Sequence, residues 1–174
     1  MNAFPTTTGV GRSLRVLLLG FVVWTLTGCL GVPERVEPGT PRSQIEARLG
    51  VPTAEYPLAD GRRLQYSRQP GGQQVYNLDL DASGRLRQLE QVMDIHWLQR
   101  HIAPDRWTRA DVLRNLGRPA IVERVVSFRG DVWSYRFLEA NSPRQVHLHI
   151  DPEGVVRRVM FTDEPTPDDP PERS

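Results

Sequence analysis

Two stretches of this chain repeat each other, and that repeat constrains the fold more than any other feature. Ile45-Glu-Ala-Arg-Leu49-Gly50-Val-Pro52 and Val112-Leu-Arg-Asn-Leu116-Gly117-Arg-Pro119 share the pattern apolar-x3-Leu-Gly-x-Pro. Thr40-Pro41 precedes the first copy, and Thr108-Arg-Ala-Asp111 precedes the second. A Thr at the N-cap accepts a bond from an early backbone N–H. Pro41 suits the first helical position, and Asp111 complements the helix dipole. Gly50 and Gly117 fall where a helix closes in the left-handed conformation, and the Pro two residues on forbids continuation. Each copy is therefore expected to open with a short helix.

The match continues downstream. Gly61-Arg-Arg-Leu64-Gln-Tyr66 pairs with Gly130-Asp-Val-Trp133-Ser-Tyr135, and Tyr76-Asn-Leu78-Asp-Leu80 pairs with Val146-His-Leu148-His-Ile150. Alternation of apolar and polar residues reads as half-buried strand. Asp81-Ala-Ser-Gly84 and Asp151-Pro-Glu-Gly154 follow as tight turns, the Asp capping its own turn and the Gly tolerating positive φ. A returning strand then places Leu89 and Met93 on one face in copy 1, and Val155, Val159 and Phe161 in copy 2. The offset between copies moves only from 67 to 70 residues, so the register holds along the whole unit, and such self-similarity is structural information in its own right. Ile121 to Phe128 adds a fourth strand to the second copy. The expected class is α+β: two tandem units, each a short helix or helix pair packed on a three- to four-stranded antiparallel sheet. Unit 1 covers residues 39–94, a bridge 95–107, and unit 2 residues 108–162. The bridge carries Ile95, Trp97, Leu98, Ile102 and Trp107, which are expected to fill the seam between units. Trp97, Trp107, Trp133 and Tyr135 form the candidate interaction surface, because aromatic residues often anchor interfaces.

The N-terminus reads differently. Arg12 and Arg15 precede an apolar run from Val16 to Leu26, which ends at Leu26-Thr27-Gly28-Cys29. A membrane span needs about 20 apolar residues, and Val16 to Leu30 is shorter and interrupted by Gly20, Thr25, Thr27 and Gly28. No Ala-x-Ala-like site is present for an ordinary signal peptidase. Leu-x-Gly-Cys resembles the lipobox of bacterial lipoproteins. That resemblance implies a signal peptide over residues 1–28, cleavage between Gly28 and Cys29, and a covalent lipid on Cys29 as membrane anchor and sole non-protein group. Leu30 after the Cys, rather than Asp, implies delivery to the outer membrane, facing the periplasm of a Gram-negative bacterium. Residues 29–38 are expected to act as a linker. Residues 163–174, DEPTPDDPPERS, are expected to be a disordered tail because Pro and acid dominate and nothing apolar remains to bury.

Composition narrows the function classes. Cys29 is the only Cys, so the folded part has neither disulfide nor thiol nucleophile. Every one of the 22 basic residues is Arg. Residues 1–28 contain two of these and no acid, so removing them leaves 20 against 21 acidic residues, a net of −1. A balanced charge gives no footprint for nucleic acid. His147 and His149 lie two apart on one strand, on the same face and pointing away from the core, about 6.5–7 Å apart along the strand. They are weak metal candidates with no third ligand placed by sequence, so no metal is assigned. Asp81 and Asp151 read as turn caps rather than catalytic carboxylates. Pro70-Gly71-Gly72 reads as a turn, not a phosphate loop, because no Lys follows. There is no nucleophile elbow, and the chain is read as a non-enzyme.

Gly39-Thr40-Pro-Arg-Ser43-Gln44-Ile45-Glu-Ala-Arg-Leu49-Gly50-Val-Pro52, following a lipobox and followed by Trp133-Ser-Tyr135 in the second copy, resembles the SmpA/OmlA (BamE-like) lipoprotein family. Leu64-Gln-Tyr66 is a weaker form of the same strand motif. The resemblance implies helices on a three-stranded antiparallel sheet. It implies a periplasmic scaffold that helps insert β-barrel proteins by binding another lipoprotein and anionic lipid. This chain departs from the family pattern in having two copies and lacking the Asp-Pro-Phe segment before the Trp-x-Tyr strand, so the family's interaction residues do not transfer. Tandem helix-plus-sheet units also resemble the β-lactamase inhibitor proteins. The expected function is therefore an outer-membrane-anchored interaction subunit in envelope or outer-membrane protein assembly. Its expected partners are membrane lipid, through Cys29, and envelope proteins, with the outer-membrane assembly machinery among them. The alternative is an inhibitor-like or ligand-binding periplasmic module.

Overall fold

The computed structural model describes residues 33–165. The lipobox, with Gly28 and Cys29, and the tail beyond residue 165 lie outside the described residues. A single 3-10 turn, Pro33–Arg35, leads into α1 (Arg42–Leu49) and the strands β1 (Ala54–Leu58), β2 (Gly61–Ser67), β3 (Val75–Leu80) and β4 (Leu86–Gln91). α2 (Ile95–His101) bridges to α3 (Arg109–Leu116), which is followed by β5 (Ile121–Glu123), β6 (Asp131–Glu139), β7 (Ser142–Ile150) and β8 (Val156–Asp163). The strands form two four-stranded antiparallel meanders in the orders β1-β2-β3-β4 and β5-β6-β7-β8. The chain is thus α+β with one sheet per repeat.

The duplication extends to single backbone bonds. Both sheets shift register at the same place, between Asp79 and Leu80 and between His149 and Ile150. Pro41 bridges Arg85, and Thr108 bridges Val155. Arg42 N–H donates to the Gly84 carbonyl at 2.9 Å, and Arg109 N–H to that of Gly154 at 2.8 Å. The Tyr66 hydroxyl donates to the Gly50 carbonyl at 3.0 Å, and the Tyr135 hydroxyl to that of Gly117 at 2.7 Å. Gly61 and Gly130 are obligatory: both have positive φ, and a Cβ there would meet the carbonyl oxygens of Leu80 and Ile150 at 1.9 and 2.2 Å. Gly50 and Gly117 do close their helices at positive φ, 81° and 76°, but with ψ of −167° and −161°, a region open essentially to Gly alone rather than the left-handed helical one. The Asp-x-x-Gly turns form as expected. Asp81 Oδ1 accepts from the N–H groups of Ser83 and Arg85, and Asp151 Oδ1 accepts from that of Val155.

Several expected boundaries move. Unit 1 has four strands, not three. β1 was hidden by Pro57, which a strand tolerates only at a sheet edge, where β1 lies. The linker expected over residues 29–38 is shorter, because Val36 is buried in the core and Glu34 accepts from the Tyr76 hydroxyl. The ordered chain also runs past residue 162. β8 ends at Asp163, and Glu164 pairs with Arg136 at 2.5 Å while its N–H donates to the Pro143 carbonyl. α3 carries a full capping box between Thr108 and Asp111. α1 does not: its N-cap is Pro41, and the Thr40 hydroxyl donates instead to the Glu37 carbonyl.

Two apolar clusters result. One joins Val36, Ile45 and Leu49 to Leu64, Tyr66, Tyr76, Leu78, Leu80 and Leu86, with Leu89 against it. The other joins Val112 and Leu116 to Tyr135, Phe137, Val146, Leu148, Ile150 and Val156, and also takes in Leu98, Ile102 and the unit 1 residues Val75, Val92 and Met93. Met93 therefore does not share a face with Leu89. It lies past the end of β4 and serves the other core.

Candidate functional site

The surface that organises this molecule is the outer face of the first sheet, where the second unit meets it. Alternation along β2 and β3 puts Arg63, Gln65, Asn77 and Asp79 opposite the apolar set, and cross-strand register pairs Arg63 with Asp79 and Gln65 with Asn77. These polar residues are nonetheless buried or nearly so. They face the last turn of α3, where a helix leaves carbonyl groups without intrahelical partners. Asn77 Nδ2 donates to the Asn115 carbonyl at 2.9 Å, and Gln65 Nε2 to the carbonyls of Arg114 and Leu113 at 3.2 and 3.4 Å. Arg63 donates twice to Asp79, at 2.6 and 2.8 Å, and once to Asn115 Oδ1 at 2.8 Å. Sequence reading missed this group because nothing local to β2 or β3 distinguishes a polar face that meets water from one that meets a helix end.

The second contact between units is the loop after β2. Gln69 Nε2 donates to the Arg136 carbonyl at 2.6 Å, and Arg136 Nη1 donates to the Pro70 carbonyl at 2.9 Å. Pro70-Gly71-Gly72 is thus a turn that docks the two sheets together.

The aromatic candidates divide. Trp97 stacks on His101, with ring centroids 4.3 Å apart, and meets Trp107 edge-on at 6.5 Å. Both Trp rings are half-buried against the unit 2 core, as is Trp133, over which the Arg109 guanidinium sits at 5.8 Å. Tyr135 is a correction: it is fully buried and its hydroxyl is committed to Gly117, so it is a core residue and not a contact surface. Burial also holds its phenol well above the ordinary range.

The two His are also unlike each other. His147 lies between hydroxyls, Nδ1 at 2.7 Å from Ser134 Oγ and Nε2 at 2.8 Å from Thr162 Oγ1. His149 is buried, not solvated, because Phe128 packs edge-on against it at 5.0 Å. Burial, then the positive charge of Arg158, lower its pKa. Among the described residues, no three His, Cys, Asp or Glu side chains converge as a metal site would need. Asp81 and Asp151 are held as anions below the usual carboxylate range, Asp81 chiefly by the Ser83 hydroxyl and Asp151 chiefly by the Val155 N–H. That is the chemistry of a turn cap.

Two hollows flank the first sheet. One of about 460 Å³ is mostly apolar, lined by Pro33, Leu49, Val51, Tyr66 and Tyr76, with Arg68 in its wall. Desolvation pushes both Tyr phenols up to about 12. The other, about 530 Å³, lies at the seam, where Arg118 and Leu113 of unit 2 face Ala54, Tyr56 and Gln65 of unit 1.

No family model matches this chain. No curated protein matches it either. Among solved structures, a DUF4309 family protein (YjgB) from Bacillus subtilis subsp. subtilis str. 168 aligns over 71% of this chain and 78% of its own, with 14% identity and a TM-score of 0.31.

Proposed function

We propose that the chain is the precursor of an outer-membrane lipoprotein that acts as a periplasmic interaction subunit in envelope or outer-membrane protein assembly. The observation that carries the reading is the pairing of Leu26-Thr27-Gly28-Cys29 with a duplicated, enzyme-motif-free α+β unit. Each unit is read as BamE-like, a short helix laid on an antiparallel sheet. Ile45 and Leu49 of α1, and Val112 and Leu116 of α3, support this by sharing buried clusters with their own sheets. The described chain begins only four positions after Cys29, and none of its helices is long and apolar enough to cross a membrane. A lipid on Cys29 would hold the two units at the bilayer and raise their effective concentration toward membrane-bound partners.

Two measurements test the reading. Mass spectrometry of the mature N-terminus should find acyl groups on Cys29, and Cys29→Ala should leave the chain out of the membrane fraction. Cross-linking in envelopes should recover barrel-assembly subunits. A photo-activated or carboxylate-directed reagent is required, because the chain has no Lys. Recovery of a soluble hydrolase alone would overturn the assembly role in favour of an inhibitor-like module.

A further inference from the structure

The two copies balance charge differently at one matching place. In the first, Arg42 at the start of α1 pairs with Glu46 at 2.8 Å and with Glu55, and Arg62 pairs with the same Glu55 at 3.1 Å. Two guanidiniums thus meet two carboxylates. In the second, Arg109 stands where Arg42 stands, but Leu113 replaces Glu46, Val122 replaces Glu55 and Asp131 replaces Arg62. Asp131 bridges Arg109 at 2.6 Å and Arg124 at 3.1 Å. A hollow of about 570 Å³ opens beside it, and Arg129, Val125 and Phe128 complete its wall with these three. Three Arg and one acid line this hollow, so two positive charges are left over. Among the described residues, no hydrogen bond or ion pair reaches the Arg129 side chain, and Nε of Arg109 is buried without an acceptor. The apolar part of the wall is fixed. The Phe128 ring meets His149 edge-on at 5.0 Å and lies so close over Gly130 that a Cβ there would touch it at 2.7 Å. Val126, at the tip of the same loop, is fully exposed.

We infer that this hollow docks an acidic segment of a partner protein, one that carries carboxylates beside an apolar side chain. Clustered Arg side chains recognise acidic motifs because each guanidinium offers a planar pair of donors that matches a carboxylate. Arg129 has its full donor set to offer, while Arg109 and Arg124 share a single acid. A segment bearing two carboxylates supplies the charge that Glu46 and Glu55 supply inside the first copy. An apolar side chain next to them would cover Val125 and Phe128 and shield the ion pairs from water, which strengthens them. A free phosphate would leave that apolar wall uncovered. A bilayer is broad and flat, whereas the surplus charge here lines a hollow that a single extended segment can enter. The inference deepens the interaction reading proposed above and rests on it for the partner's being a protein, but not on the anchor at Cys29 or on the barrel-assembly role.

Fluorescence anisotropy of the full chain, purified in neutral detergent, tests it. The probe is a fluorescein-labelled peptide of repeating Asp-Glu-Leu, and the comparison peptides repeat Asn-Gln-Leu and Asp-Glu-Ser. The acidic, apolar peptide should bind, its amide counterpart should bind roughly tenfold or more weakly, and its Ser counterpart should fall between them. Arg129→Glu should weaken binding of the first peptide by roughly tenfold or more. Arg106→Glu makes the same change of charge at an exposed residue outside the hollow and should leave binding close to wild type. Val122→Glu gives the second copy the acid that the first copy has, at a position 56% exposed, and should also weaken binding. Unchanged far-UV circular dichroism and tryptophan emission confirm that each variant is folded. No binding of the first peptide, equal binding of the amide peptide, or equal losses in Arg129→Glu and Arg106→Glu would overturn the inference. So would Arg129-dependent binding to phosphatidylglycerol vesicles in place of the peptide, which would give the hollow to a membrane. These outcomes leave the role in envelope assembly to be judged separately, by the cross-linking described above.

Discussion

The two cores are built from matching sequences, yet they are not equivalent. The cluster around Leu64 and Leu78 consists wholly of residues from the first unit and its lead-in turn. The cluster around Phe137 and Leu148 is completed by Val75, Val92 and Met93 of the first unit and by Leu98 and Ile102 of the bridge. Unit 1 closes its own core, whereas unit 2 needs unit 1 to close its core. The seam supplies direction as well as burial. Apolar residues at the end of β4 drive the contact, while Gln65, Asn77 and Arg63 fix where α3 ends on the sheet. A duplicated sequence therefore gives a molecule with an order of dependence.

The sharpest way to break that comparison is to truncate one side chain in each core. Met93→Ala and Leu78→Ala should each cost about 2–5 kcal/mol. They should differ in what reports the loss. Trp97, Trp107 and Trp133 all pack on the unit 2 core, so tryptophan emission should follow the Met93→Ala transition directly. Leu78→Ala should also carry unit 2 with it. If tryptophan emission keeps its wild-type denaturation midpoint in Leu78→Ala while far-UV circular dichroism shifts, the dependence is wrong. Next in size is the seam. Asn77→Ala leaves the Asn115 carbonyl without its buried donor and should cost about 1–3 kcal/mol in chemical denaturation. An effect no larger than that of Gln88→Ala, an exposed residue of β4, would show that the polar row does not set the docking. Thr108→Ala should cost about 1 kcal/mol by removing a capping box. Thr40→Ala should be close to neutral, since its hydroxyl does not cap α1. The smallest effect is on pH dependence. The folded pKa of His149 lies below its unfolded value, so as pH falls the folded state takes up fewer protons than the unfolded state does. Stability is therefore flat above about pH 6.5 and declines as pH drops below it. His149→Gln should flatten the melting temperature between neutral pH and pH 5.5. A slope unchanged by that substitution would assign the decline to other groups.

Much of this was legible because it is local. Asp-x-x-Gly and the alternation through Leu64-Gln-Tyr66 and Trp133-Ser-Tyr135 each name a backbone shape that the structure adopts, while Leu-Gly-x-Pro gave the helix ends and the positive φ of Gly50 and Gly117 but not their ψ. β1 escaped because Pro57 argues against a strand wherever an edge position cannot be foreseen. The candidate site was legible only where chemistry is local. The turn roles of Asp81 and Asp151 follow from four residues of sequence. Trp133 and Tyr135 look alike as aromatic residues on one strand face, and only packing separates the half-buried ring from the fully buried one. The same limit applies to Asn77 and His147, which match in the repeat while one receives a helix end and the other lies between two hydroxyls. Long-range placement makes that difference, and no window of sequence contains it.

Burial of Val36 and the bond between Glu34 and Tyr76 have a consequence for reach. They begin the folded body at Pro33, so only four chain steps separate it from Cys29, about 14 Å at full extension. If Cys29 carries the lipid proposed above, that leash is only about twice the depth of a headgroup layer. The first unit would then skim the bilayer instead of ranging through the space above it. Its search for partners would be confined to two dimensions, with the side bearing Pro33 held toward the membrane.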